Sequence, residues 1–308
     1  MSQEIQAFNS KVEHCLCAPG DGVFTVNTAK ERKAALRNKL YGQTENVDTL
    51  WRESLNELPH SPHKAVMLGI SSDCGGGILR GANWGPLFVR SALIDQHPEC
   101  HSFDLGDVRV IPHLLHDKYL NDTTISNCQK ALYGNENNDY YVSPLSITED
   151  VCDSFYATFK DKGIFGIGGD HSISYPLTKA YLKAKREQGK RTAIIHFDAH
   201  TDLLVERLGI DLCFGSWCTH ILEFLPAPHH LIQFGIRSSG KPKSHWENTF
   251  GVKQHWAHEI IERGAAAVAA ETIAQLKADN VDEVYVSFDI DALDAEFALQ
   301  PVHRKITV

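Results

Sequence analysis

The chain has 308 residues, 43% hydrophobic and 22% charged, an ordinary globular composition long enough for one large α/β domain or two small ones. Its 30 basic and 39 acidic residues leave a net charge of −9, which argues against an electropositive nucleic-acid surface and suits an enzyme that gathers carboxylates and receives a cationic substrate. The stretch MSQEIQAFNSKVEHC lacks the charged-then-apolar layout of a signal peptide, and no apolar run approaches the ~20 residues of a membrane span, so a soluble, cytoplasmic chain is expected. Eight cysteines without a repeated spacing, apart from Cys15 and Cys17, read as free thiols rather than a disulfide framework. No second pair completes a tetrahedral metal site with Cys15 and Cys17.

The first ~60 residues are polar and aperiodic except for a helical stretch near Ala29–Leu40, and residues 1–63 are expected to form an N-terminal extension. The main domain is expected over 64–308. There, short β-branched runs alternate with helical patterns: strands at Ala65–Ile70, Ile164–Ile167, Ala193–Phe197, Leu231–Ile236 and Val284–Ile290, with weaker ones near Phe103 and Val252. Gly75-Gly76-Gly77 offers a phosphate cradle, but neither a Gly-Lys-Ser/Thr nor a Rossmann pattern accompanies it. Gly85-Pro86 opens one helix, and Ile147–Phe159, Ile173–Glu187 and Ala267–Ala278 form others. This alternation predicts a three-layer α/β/α fold with a mainly parallel sheet, whose ligands sit at the carboxyl ends of the strands.

Three segments concentrate ionisable groups at such strand ends. In IFGIGGDHSISYPL (164–177) an apolar strand runs through Gly168-Gly169, which permit a tight turn, into Asp170 and His171, and the segment either caps the following helix through Asp170 or presents His171 to a metal. In AIIHFDAHTDLL (193–204), Asp198, His200 and Asp202 are spaced by two, so an extended segment points them one way, at high cost unless a cation compensates them. In VYVSFDIDALD (284–294), Asp289 and Asp291 alternate in the same manner, while Asp294 closes the turn. Carboxylates with imidazoles, and no cysteine nearby, suit a borderline divalent ion such as Mn²⁺, and six ligands fit a two-metal centre better than a single ion.

GGDHS, DAHTD and SFDIDALD, together with LGISSDCGGGILRGANWGPLFVR (68–90), FDLGDV (103–108) and QFGIRSSG (233–240), resemble the signature segments of the ureohydrolase (arginase/agmatinase) family over residues ~64–298. The resemblance implies an arginase-like fold, two Mn²⁺ ions, a small cationic guanidino or amidino substrate, and assembly as trimers or hexamers. It implies one metal held by His171, Asp198, Asp202 and Asp289. The other is held by His200, Asp198, Asp289 and Asp291, so that Asp198 and Asp289 bridge. It further implies hydrolysis of a C–N bond by a shared hydroxide, with Asp202 as the acid that protonates the leaving nitrogen.

The chain departs from that pattern twice. Where the family has a His-Gly pair supplying a proton-shuttling histidine, this chain has CFGSWCTH (213–220), and His220 is either the substitute or a helix-surface histidine. After DALDAEFA the family's Thr-Gly-x-Pro-x-x-Gly-Gly-Leu segment and guanidinium-gripping carboxylate are replaced by LQPVHRKITV, which reads as a truncation that exposes apolar surface. The expectation is a chain that holds its metals but turns over guanidino substrates poorly, unless Glu206, Glu223 or another carboxylate grips them. A single-metal deacetylase of the related fold and a metal-binding but inactive paralogue are the alternatives, and the sequence does not choose among arginine, agmatine, guanidino acids and formiminoglutamate.

Overall fold

A computed structural model describes residues 2–22, 29–75, 80–99, 102–294 and 296–298. Gly76 and Gly77 of the glycine run, and the LQPVHRKITV tail, lie outside the described residues. The chain divides into two compact units, Met1–Tyr181 and Leu182–Val308.

The first unit contains α1 (Gln3–Cys15), β1 (Leu16–Cys17), α2 (Lys30–Tyr41), α3 (Val47–Leu55), β2 (Ala65–Ile70), α4 (Gly85–Gln96), β3 (Phe103–Val108), α5 (Asp122–Tyr133), α6 (Pro144–Thr158), β4 (Gly163–Gly168) and the start of α7 (Ser174–Glu187). Its sheet has the order β1-β3-β2-β4, with only β1 antiparallel to its neighbour. The N-terminal residues are more ordered than their polarity predicts. Ser2 caps α1 by accepting from the Ile5 amide, and α1 then buries Phe8 edge-on against Phe155 and Phe159 at 6.0 and 5.3 Å. The apolar residues it buries, Phe8, Val12 and Cys15, stand at helical spacing but are few among polar neighbours.

The arginine of GPLFVR has a structural task. Arg90 is 1% exposed on α4, and its guanidinium meets Asp104 at 2.7 Å and Asp107 at 2.9 Å, both on β3. A buried cation of this kind is tolerated only because its donors are shared between carboxylates and the Pro86 carbonyl.

The second unit contains β5 (Thr192–Phe197), α8 (Trp217–Ile221), β6 (Leu231–Ile236), α9 (Lys243–Phe250), β7 (Lys253–Trp256), α10 (Ala257–Arg263), α11 (Ala265–Ala278) and β8 (Glu283–Phe288), and its all-parallel sheet runs β7-β6-β5-β8. β5 sits inside the sheet with Ala193 and Ile194 fully buried. β8 ends the order, and its alternate residues Val284, Val286 and Phe288 are exposed at 38%, 58% and 53%. The register pairs Phe197 with Phe234 on one side and Phe288 on the other, so Asp198 and Asp289 follow paired positions of adjacent strands. The ladder runs one residue further: Asp289 N donates to Phe197 O at 2.9 Å and Asp198 N to Phe234 O at 3.1 Å.

Among the described residues no helix is long and apolar enough to cross a membrane, and the described cysteines are all free.

Gly168 and Gly169 serve close approach rather than a left-handed turn. The β2–β4 pairing continues past the strand ends, with Gly169 N donating to Ile70 O at 2.9 Å and Asp170 N to Ser72 O at 3.0 Å. A Cβ on Gly169 would lie 1.6 Å from the Ser72 carbonyl oxygen, whereas one on Gly163 meets nothing within 4 Å. Gly169→Ala is therefore expected to destabilise the first unit by about 3 kcal/mol, the upper end of overpacking costs. Gly163→Ala should stay within about 0.5 kcal/mol. Denaturant titration of both variants checks this, and equal midpoints would refute the steric account.

Candidate metal centre

The clustered acids and histidines of the second unit follow β5 and β8. Asp198 is 1% exposed, and its two oxygens are already engaged: Oδ2 lies 2.9 Å from His196 Nε2 and Oδ1 accepts from the His200 amide at 2.6 Å. His196, a strand residue in the sequence pattern, extends the spacing-by-two series of Asp198, His200 and Asp202 back by one step. Its tautomer follows from its partners. Gln233 Nε2 donates to His196 Nδ1 at 2.9 Å and to Thr201 O at 2.6 Å, while Gln233 Oε1 accepts from Gln254 at 2.7 Å. Nδ1 is thus an acceptor, Nε2 carries the hydrogen, and His196 holds the Asp198 carboxylate by donation. Although its donor atom lies within 4.8 Å of those of Asp198 and Asp202, His196 is by this argument a positioning residue and not a ligand.

Asp202 is 5% exposed and has a φ of 49°, a left-handed conformation that a non-glycine residue adopts at a cost. The segment after Phe197 is therefore not the extended run that the alternate spacing predicts. The bend delivers Asp202 to Trp217 on α8, whose Nε1 donates to Oδ2 at 2.8 Å. Trp217 in turn packs edge-on against His196 at 5.1 Å.

A second group joins Asp198, His200 and Asp291. His200 Nδ1 lies 3.0 Å from Asp291 Oδ2 and 3.4 Å from Asp198 Oδ1, and Asp291 Oδ1 accepts from the Ala199 amide at 3.0 Å. Hydrogen bonds that the ring donates to Asp198 and Asp291 raise the His200 pKa to about 10 despite burial. Arg237, within QFGIRSSG, donates to the carbonyls of Asp291, Ala292 and Leu293 and so fixes the turn that presents Asp291. Asp198 is thus common to both sets of donors. Asp289 stands outside them, with Oδ1 accepting from the Asp291 amide at 2.9 Å to cap that turn.

In the first unit, His171 opens the 3-10 turn His171–Ile173 that follows β4. Asp170 takes its capping role: Oδ1 accepts from Ser172 N at 3.0 Å, Oδ2 accepts from Gly75 N at 3.2 Å, and burial pushes its carboxyl up to about 6. His220 sits on α8 with Nε2 2.8 Å from the Asp211 carbonyl oxygen.

Carboxylate and imidazole donors of this kind suit a divalent cation, because His200 Nδ1 already faces two carboxylate oxygens across a gap that only a proton or a metal satisfies. The features define an α/β protein of mainly parallel sheets with a carboxylate–imidazole cluster suited to a cation at its strand ends. The Arginase family profile matches residues 63–299, and the chain belongs to that family. It is 38% identical over 135 residues to a formimidoylglutamase of Halalkalibacterium halodurans, covering 43% of this chain and 40% of that protein. It is 33% identical over 153 residues to an agmatinase of Bacillus subtilis, covering 48% and 47%. The chain thus spans less than half the length of these curated relatives. Among solved structures it resembles the formimidoylglutamase of Bacillus subtilis in fold, with a TM-score of 0.57 and 22% identity over 77% of this chain and 68% of that one. It also resembles proclavaminate amidino hydrolase from Streptomyces clavuligerus, with a TM-score of 0.53 and 25% identity over 77% and 70%.

The His200 proton gives a pH prediction. Its folded pKa lies above the ordinary histidine value, so in the metal-free chain its ion pairs stabilise fully below pH ~6.5 and lose effect as pH rises through about 10. A metal ligated by this ring must displace the proton. Affinity for a divalent ion is therefore expected to rise up to about tenfold per pH unit between pH 6.5 and 9, with about one proton released from His200. Calorimetry in buffers of different ionisation enthalpy measures both, and a pH-independent affinity without proton release would refute it.

Proposed function

We propose that this chain is a metal-dependent hydrolase that breaks a C–N bond of a linear amidine or guanidine, using two Mn²⁺ ions and releasing urea from a small cationic guanidino substrate of the agmatine or guanidino-acid type. The observation that carries the proposal is the sharing of Asp198 between two donor sets, in a chain of the arginase family. In this proposal the two ions would be held by His171, Asp198, His200, Asp202, Asp289 and Asp291. When bound, a pair of divalent ions supplies a water acidified to near-neutral pH and positive charge beside the reacting carbon.

The remaining work falls to the chain's own side chains. His196 fixes the orientation of Asp198 through the 2.9 Å hydrogen bond that Gln233 enforces from the other side of the ring. Asp202, aimed by Trp217, protonates the leaving nitrogen. His220 relays protons to the solvent, for which its hydrogen bond with the Asp211 carbonyl must exchange. The enzyme works in the cytoplasm as a trimer or hexamer in this account. The identity to a formimidoylglutamase supports a second reading in which the substrate carries a formimidoyl group and the product is formamide.

Purified chain is expected to hold close to two Mn²⁺, measured by mass spectrometry of the metal. Asp198→Ala should lose most of both, and His171→Ala should chiefly weaken one. Saturation at one ion, or equal loss in both variants, would defeat the binuclear assignment. Urea and formamide release across guanidino and formimino compounds separates the two substrate classes. His220→Asn should lower turnover of whichever substrate is found by about 10²-fold with the metals retained.

A further inference from the structure

At the other end of the second unit's sheet, where β5 and β6 begin, a separate set of donors converges. His229 and His230 immediately precede β6, and Asp279 follows α11. Their ligand atoms lie within 4.8 Å of one another. His229 Nε2 is 3.4 Å and His230 Nε2 3.7 Å from the same atom, Asp279 Oδ2, and the two rings meet at 90° with centroids 4.8 Å apart.

The hydrogen bonding of His230 makes this contact informative. The ring is 1% exposed, and Nδ1 lies 3.0 Å from the Thr192 carbonyl oxygen. A carbonyl only accepts, so Nδ1 carries the hydrogen. Burial holds the pKa of this ring below the ordinary value, so the ring is neutral and Nε2 presents a lone pair. Among the described residues, that buried Nε2 has no hydrogen-bond partner. It faces a carboxylate oxygen, acceptor towards acceptor, at a distance too long for a hydrogen bond. A cation between them removes the conflict. Metal–ligand bonds of about 2.0–2.2 Å around a tetrahedral ion put neighbouring donors roughly 3.4 Å apart, close to both observed separations. The backbone carbonyl on Nδ1 is the partner that orients a ligating imidazole. Gln275 Nε2 at 2.9 Å from Asp279 Oδ2, and Arg191 Nε at 3.0 Å from the Asp279 carbonyl, hold the third donor in place.

We infer that His229, His230 and Asp279 form a binding site for a zinc-class divalent cation, completed by solvent on the exposed His229 side. Two imidazoles and one carboxylate favour Zn²⁺ or Ni²⁺ over Ca²⁺ and Mg²⁺. The ion would tie the entry of β6 to the end of α11, with β5 linked through Thr192, so its role is to brace the sheet, remote from the carboxyl strand ends where Asp198 and Asp291 lie.

The test uses the full chain saturated with Mn²⁺ and titrated with Zn²⁺, with bound metals counted by mass spectrometry. The wild-type chain is expected to take up one Zn²⁺ more than either His229→Ala or Asp279→Asn, while all three hold equal Mn²⁺ before Zn²⁺ is added. Equal Zn²⁺ uptake in the three proteins overturns the proposal. A second measurement needs no variant: Zn²⁺ should slow acylation of His229 by diethyl pyrocarbonate at least fivefold in the unmodified chain, read by peptide mass spectrometry. An unchanged labelling rate at saturating Zn²⁺ would sink the idea even if both variants fail to fold.

Discussion

Crowding carboxylates at the end of a parallel sheet is electrostatically unfavourable, and much of the second unit's local structure is arranged around that constraint. Asp198, nearly inaccessible, is the residue on which it falls hardest. Its charge is met by donors from every side: His196 Nε2, the His200 amide and the His200 ring. Behind His196 stand Gln233 and then Gln254, each amide fixing the orientation of the next group. This buried polar chain is fully directional, so each hydrogen position is determined by the one before it.

The same constraint explains the backbone. Asp198 and Asp289 reach the same level because β5 and β8 pair in register through Phe197 and Phe288. Beyond that point regular pairing would send successive side chains to opposite faces. The left-handed Asp202 and the capped turn at Asp289 break the regularity and bring further acids back to the strand ends. Such strain is retained where surrounding contacts over-determine it, here the Trp217 indole on Asp202 and the Arg237 guanidinium on the carbonyls of the turn.

In the first unit a buried ion network does comparable work without any ligand. Arg90 links α4 to β3 through Asp104 and Asp107, and Gly20 N donates to the far oxygen of Asp107 at 2.8 Å. Arg90 of GPLFVR is a satisfied interior charge, 1% exposed between its two carboxylates.

Strand positions and the acidic and imidazole residues that end them were legible in the sequence because both are local: β-branched runs mark buried strands, and like charges spaced by two mark strand ends that need a cation. Arginase-family membership followed from the same short segments. The helices before β2 were not legible in full, since α1 buries only Phe8, Asn9, Val12 and Cys15 in a largely polar stretch. Tertiary structure alone decided that His196 orients Asp198, because the donor that fixes its tautomer is Gln233, far away in sequence on the neighbouring strand. It also decided that Gly169 answers the Ser72 carbonyl, and that His229 and His230 meet Asp279. Each of these depends on which strand lies beside which, and pairing between distant segments leaves no trace in the spacing of either one.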